Sequence, residues 1–133
     1  PTNNINVKLD SSGGSNKLNV VDEGGQNQVG KNAAATTITW HLEGPLAQGS
    51  FVSMSAAEPG FQWLEKGKPK DGVFGGASIG SNGNSLSITD NHLNDSTDGQ
   101  WIYILRVNYQ GQVICTQASL PRETVTDPVI INK

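Results

Sequence analysis

The chain is poor in cysteine and lacks any long apolar run. Cys115 is its one cysteine, so no disulfide can form within the chain. Small secreted domains often rely on disulfides, and a lone cysteine therefore favours a reducing compartment. No stretch approaches the ~20 apolar residues of a membrane-spanning helix, and no leader-like segment opens the chain. We expect a cytoplasmic protein without a membrane span, although removal of a signal peptide would leave the same start at Pro1.

Charged side chains are also sparse, at 16% of the chain, and the net charge is −3. Such a weak field does not concentrate polyanions, which excludes a general binder of nucleic acid or acidic lipid. His41 and His92 are the only histidines, and no third ligand stands at a spacing typical of zinc. Phosphate-loop, dinucleotide-binding and nucleophile-elbow motifs are absent from the sequence. We therefore expect no cofactor, no metal and no enzymatic activity.

Glycine, asparagine, serine and threonine are abundant where charged and apolar residues are few. Glycine and asparagine tolerate positive φ, and serine and asparagine satisfy the backbone of turns. The composition therefore predicts short strands joined by many turns. Long helices would need more alanine, leucine, glutamate and lysine. The length of 133 residues fits a single domain spanning residues 1–133.

Two segments show the clearest strand patterns. Thr36–Leu42 alternates apolar residues with threonine and histidine, which predicts a strand with one buried face. Residues 101–107 place large apolar side chains on one face and Ile102, Ile104 and Arg106 on the other. Similar short segments, separated by turn signals at intervals of ~8–12 residues, bring the total to roughly eight to ten strands.

This pattern predicts an all-β antiparallel sandwich, with a closed barrel or a jelly roll as the alternative topology. The connections are too short for the helical crossovers that usually join parallel strands. The residues predicted to form the core are Ile38, Trp40, Leu86, Ile88, Trp101, Tyr103 and Leu105.

Two stretches of the chain resemble immunoglobulin-like domains. Trp40 lies in the middle of an early alternating strand, like the core tryptophan of those sandwiches. Residues 84–90, the corner 95–99 and then Trp101-Ile-Tyr103 are similar to the strand–corner–strand passage that ends there in Asp-x-Gly-x-Tyr. Trp101 stands where that tyrosine would be, and the cysteine pair of antibody-like members is missing. The resemblance implies an immunoglobulin-like antiparallel sandwich of roughly 7–10 short strands.

A narrower resemblance is to the DP-EP family of small bacterial proteins, which is named for its Asp-Pro and Glu-Pro dipeptides. Glu58-Pro59 stands just before Phe61-Gln-Trp63, and Asp127-Pro128 precedes the last apolar strand. The length of the chain is also similar to that of the family. The resemblance covers most of the chain and implies a family without an assigned activity.

The segment 61–70 is the strongest candidate for a binding surface, because two aromatic residues stand beside three lysines. The candidate binding residues are Phe61, Trp63, Lys66, Lys68 and Lys70. An exposed Trp63 would stack on a sugar or a base while the lysines hold an anionic group. The alternative, which we favour, is that Phe61 and Trp63 both point inward as core residues and the lysines keep a sheet edge soluble.

Residues 94–99 are similar to the first half of a calcium-binding loop. The twelfth position of that loop is Leu105 rather than the required glutamate, and no helices flank it. We therefore expect these polar side chains to cap turns by bonding nearby backbone amides.

These features favour a non-enzymatic interaction or assembly module, because sandwiches bind through their loops and edges. Fold alone supports this expectation. The expected partner is a second copy, paired through a sheet edge as a homodimer, or another protein. The first alternative is a carbohydrate-binding module that uses exposed aromatics near Trp63, and the second is a hydrolase with no recognisable motif.

Overall fold

A computed structural model describes residues 2–11, 16–21, 25–31, 34–64, 68–116 and 128–133. The strands in chain order are β1 (Thr2–Asp10), β2 (Lys17–Val21), β3 (Gln28–Val29), β4 (Thr36–Leu42), β5 (Ser50–Phe51), β6 (Phe61–Trp63), β7 (Ser78–Ile79), β8 (Ser85–Asp90), β9 (Gly99–Tyr109), β10 (Gln112–Cys115) and β11 (Val129–Asn132). Short 3₁₀ helices cover Gly44–Gln48 and Asp95–Thr97. Within the described ranges, no helix is long and apolar enough to cross a membrane.

The strands form two sheets, and the predicted all-β sandwich is confirmed. The first sheet has the order β2-β1-β4-β8-β7, and the second has the order β10-β9-β11-β3, with β5 and β6 also paired to β9. The immunoglobulin-like assignment within this class stays a prediction.

The expectation of purely antiparallel pairing is wrong, because both sheets are mixed. β1 runs parallel to β4, and β3 runs parallel to β11. Short connections do not prevent these parallel pairs, because neither pair is joined by a single crossover. The chain instead leaves β1, passes through β2 and β3, and only then enters β4. Intervening strands thus take the place of the helix that usually separates parallel neighbours.

β9 is the longest strand and pairs along both of its edges. One edge binds β5 and β6, and the other binds β10 and β11. The backbone amide of Leu64 donates to the carbonyl of Ile102, while the amide of Tyr103 donates to Pro128 on the opposite edge. Backbone groups of successive residues point to opposite edges of a strand, so β9 can bind a neighbour on each side at once.

The core between the sheets is centred on aromatic side chains, and all seven predicted core residues are buried. Trp40 on β4 donates a hydrogen bond from Nε1 to the hydroxyl oxygen of Tyr103 on β9, at 2.9 Å. Phe61 stacks on Tyr103, with ring centroids 5.2 Å apart and planes inclined by 15°. Trp101 lies at the margin of this cluster, edge-on to Phe74. The largest side chains of both sheets therefore meet in one place.

The Trp40–Tyr103 hydrogen bond predicts a measurable cost for Tyr103→Phe. The substitution keeps the ring but leaves the buried indole N–H without that acceptor, which costs about 1–3 kcal/mol. Urea unfolding of the two proteins measures the difference. Tyr109→Phe, on the half-buried end of the same strand, is the control and is expected to be close to wild type. Equal loss in both variants would contradict a special role for the Tyr103 hydroxyl.

Candidate functional site

The two aromatic residues of the predicted binding segment point towards the core. β6 pairs with β9, with Phe61 opposite Leu105 and Trp63 opposite Tyr103. Phe61 is only 4% exposed and belongs to the core cluster. Trp63 is half-buried and packs against the margin of that cluster. The alternation along β6 therefore places both rings on the inner face of the sheet.

The aromatic rings at the margin of the core do not share a plane. Trp63 lies 4.7 Å from Phe74, and their planes are inclined by 46°. Phe74 and Trp101 are nearly perpendicular, at 87°. Tilted and edge-on pairs are the arrangements that aromatic side chains adopt when they pack against one another. This geometry favours packing over a flat platform for a sugar ring.

The lysines of the segment stand in solvent where the structure describes them. Lys68 and Lys70 are exposed, and Pro69 between them is buried. The proline anchors this stretch while its two neighbours extend outwards. Lys66 lies outside the described residues.

The outer face of the first sheet is polar, as expected for a surface in water. Its central strands carry threonine, serine and histidine at the positions between the core residues. Thr39 bonds to Ser87 across two strands, with the hydroxyl oxygens 2.9 Å apart. His41 Nε2 lies 2.9 Å from the Asn4 side-chain oxygen. Hydroxyl, imidazole and amide groups therefore satisfy one another along this face.

The outer face of the second sheet carries neighbouring aliphatic side chains, with the exposed Gln62 and Gln100 beside them. We call this area the outer patch and define it by Leu64, Ile102, Ile104, Val129 and Ile131. Ile102 lies between its neighbours, because Val129 is its partner on β11 and the Leu64 amide bonds to its carbonyl. None of the five belongs to the core cluster or packs against it. Four are half-buried and Ile104 is 6% exposed.

Arg106 forms one margin of the outer patch, and its guanidinium is hydrogen-bonded within the chain. Its Nη1 donates to the carbonyl of Pro59 at 3.0 Å and to the side-chain oxygen of Gln62 at 2.9 Å. Gln62 is the strand partner of Ile104. The guanidinium thus ties residues 59–62 to β9 beside the patch. The centre of the patch consists of aliphatic residues.

A buried polar cluster lies at the end of the sandwich where β8 and β11 finish. Asp90 and His92 are 0% and 1% exposed, and Asn132 is 3% exposed. Asn132 Nδ2 donates to Asp90 Oδ1 and to the carbonyl of Thr97, each at 3.0 Å. His92 Nε2 donates to the carbonyl oxygen of Lys133 at 2.7 Å, because a carbonyl can only accept. The sequence did not predict the burial of His92.

The residues similar to a calcium loop form a capped turn. The Asn94 side-chain oxygen accepts a hydrogen bond from the Ser96 amide at 3.0 Å. Asp95 and Asp98 pair with Lys31 at 3.1 Å. These hydrogen bonds and ion pairs raise the pKa of the Lys31 ammonium. Across the described part of the chain, no group of three or more histidine, cysteine or acidic residues is arranged to hold a metal ion.

Neither a protein-family model nor a curated protein matches this chain. The two dipeptides behind the DP-EP resemblance are described only in part. Pro59 is half-buried and its carbonyl accepts from Arg106. Asp127 lies outside the described residues, and Pro128 is buried.

The sequence did contain a signal for the outer patch. Residues 101–107 are apolar on both faces, which is typical of a strand covered on both sides. The run Val129-Ile-Ile131 repeats this feature on the neighbouring strand. The sequence prediction placed one face of residues 101–107 in the core and gave the other face no role.

Trp63→Ala tests whether this ring supports the fold. Because Trp63 is half-buried against three rings, we expect a loss of about 2–3 kcal/mol, below the ~3–5 kcal/mol of a fully buried aromatic. Thermal and urea unfolding give the value. Lys68→Ala and Lys70→Ala should stay within about 0.5 kcal/mol of wild type. A Trp63→Ala protein of unchanged stability would instead favour the ligand-binding hypothesis.

Proposed function

We propose that this protein is a non-enzymatic assembly module whose second-sheet outer patch binds a second copy of the same chain. The observation that carries the proposal is the contrast between the two outer faces. One bears hydroxyl and amide groups on its central strands, and the other bears Leu64, Ile102, Ile104, Val129 and Ile131. Partly exposed aliphatic side chains grouped on one face of a sheet favour an interaction surface.

A second copy suits the outer patch because a two-fold contact places the patch against itself. Each apolar side chain then meets another apolar side chain, which is what an isologous interface requires. Arg106 at the margin donates to Pro59 and Gln62, so its side chain is oriented within its own chain. A highly charged partner would gain little from such a surface.

The carbohydrate-binding and hydrolase alternatives have less support. A sugar platform favours an exposed, flat aromatic face, whereas Trp63 is half-buried and inclined to both Phe61 and Phe74. A hydrolase needs a nucleophile, an acid or a base within reach of a substrate. In the described ranges, the titratable residues Asp90 and His92 are enclosed rather than open to a cleft.

Three further assignments belong to the same proposal. An immunoglobulin-like topology is supported by Trp40 bonding to Tyr103 across the sheets. Membership of the DP-EP family rests on the two dipeptides in the sequence. A cytoplasmic location rests on the lone Cys115.

The test is light scattering after size exclusion, with the full chain examined over a wide concentration range. We expect wild type to show a dimer whose fraction rises with concentration. Ile102→Lys and Ile131→Lys should shift the protein to monomer, because each places an ammonium in the apolar contact. Thr37→Lys is the matched control, since Thr37 is a half-buried outer-face residue of a central strand in the other sheet. It should leave the dimer intact.

Wild-type protein that stays monomeric at every concentration would contradict self-association. Loss of the dimer in Thr37→Lys as well would contradict the location of the contact. Circular dichroism of each variant shows whether the sandwich is intact when the mass is measured.

A further inference from the structure

The buried cluster of Asp90 and Asn132 joins the ends of two strands from different sheets. Asp90 is the last residue of β8 in the first sheet, and Asn132 is the last residue of β11 in the second. Asp90 follows Leu86 and Ile88 along the inner face of β8, and Asn132 follows Ile130 on β11. The two polar side chains therefore meet in the layer that is otherwise apolar.

The hydrogen bonds of this pair contain an imbalance. Asp90 Oδ1 accepts from Asn132 Nδ2, but Asp90 Oδ2 and Asn132 Oδ1 are both buried without a hydrogen-bond partner among the described residues. A carboxylate and an amide oxygen can only accept. One more hydrogen atom, placed between Asp90 Oδ2 and Asn132 Oδ1, would let these two oxygens form a second hydrogen bond. A proton on Asp90 would supply that hydrogen atom.

We propose that Asp90 is a neutral carboxylic acid in the folded protein, that its Oδ2–H donates to Asn132 Oδ1, and that this acid–amide pair is a pH-sensitive latch between the two sheets. The acid and the amide then hold each other by two hydrogen bonds in place of one. Loss of the proton removes the second bond and leaves a charge in the apolar layer. This inference rests on the buried pair and is independent of the proposed self-association.

Among the described residues, no ion pair forms on the Asp90 carboxyl. Thr36 is its partner on β4, and Phe74 bridges to it from the other side. His92 is the titratable group that faces it, and the ring nitrogens of His92 contact Thr97 and Lys133. Lys31 is engaged by Asp95 and Asp98 farther out.

Burial raises the pKa of the Asp90 carboxyl from 3.8 to about 6, while the Asn132 hydrogen bond and the nearby His92 lower it in part. The unfolded chain therefore loses this proton at a lower pH than the folded protein does. Below pH 3.8 both states hold the proton and the latch contributes its full stability. As the pH rises to about 6 and above, that contribution is lost.

The experiment compares wild type with Asp90→Asn, which carries the missing donor at every pH. Urea unfolding is measured from acidic to slightly alkaline pH. Relative to Asp90→Asn, the unfolding equilibrium constant of wild type should increase by on the order of 100-fold across this range. Asp90→Asn should therefore be the more stable protein at neutral pH. Asp71→Asn, in an exposed turn, is the control and should follow wild type.

Carbon-13 NMR of the aspartate carboxyls gives a second readout that does not depend on any variant folding. The proposal predicts a carboxyl that titrates near pH 6 and is missing from Asp90→Asn. It is overturned if Asp90 titrates near 4, or if Asp90→Asn is less stable than wild type throughout the range. Stabilisation of wild type by added sodium or calcium at neutral pH, without that titration, would assign the unpaired oxygens to a cation and also overturn it.

Discussion

The hydrogen bond from the Trp40 indole to the Tyr103 hydroxyl joins the two sheets in the middle of the core. It lets two large rings be fully buried although each carries a polar atom, which would otherwise be left unsatisfied in an apolar interior. Phe61 stacks on Tyr103, and Trp63 packs edge-on against Phe61. These ring contacts position β6. They also position residues 59–62, which Arg106 bonds to β9.

The two polar features of the inner layer contrast with each other. Trp40 and Tyr103 form a matched donor and acceptor, and their contact needs no additional proton. Asp90 and Asn132 contribute an unequal number of donors and acceptors, so their contact depends on a proton. The hydrogen bond at the centre of the sandwich thus needs no added proton, whereas the second hydrogen bond at its end forms only when Asp90 is protonated.

Local patterning was sufficient for the strands but not for their arrangement. Thr36–Leu42 was predicted to the residue, because side chains alternate there without interruption. The parallel pairing of β1 with β4 was missed because it depends on the path of the chain through β2 and β3, which alternation does not encode. The binding segment was read from composition, and only the register of β6 on β9 shows that Phe61 lies inside. Burial of Asp90 was missed for a similar reason, since an aspartate beside a turn is normally solvated.

The pairing of four strands with β9 affects which parts of the protein can unfold locally. Four strands bind directly to this one strand, two on each edge, so both edges of β9 are freed only when all four neighbours separate. The two-residue strands β3 and β7 lie at the ends of their sheets and are held by far fewer bonds. Small local openings are therefore confined to the sheet margins, while exposure of β9 amounts to loss of the whole second sheet.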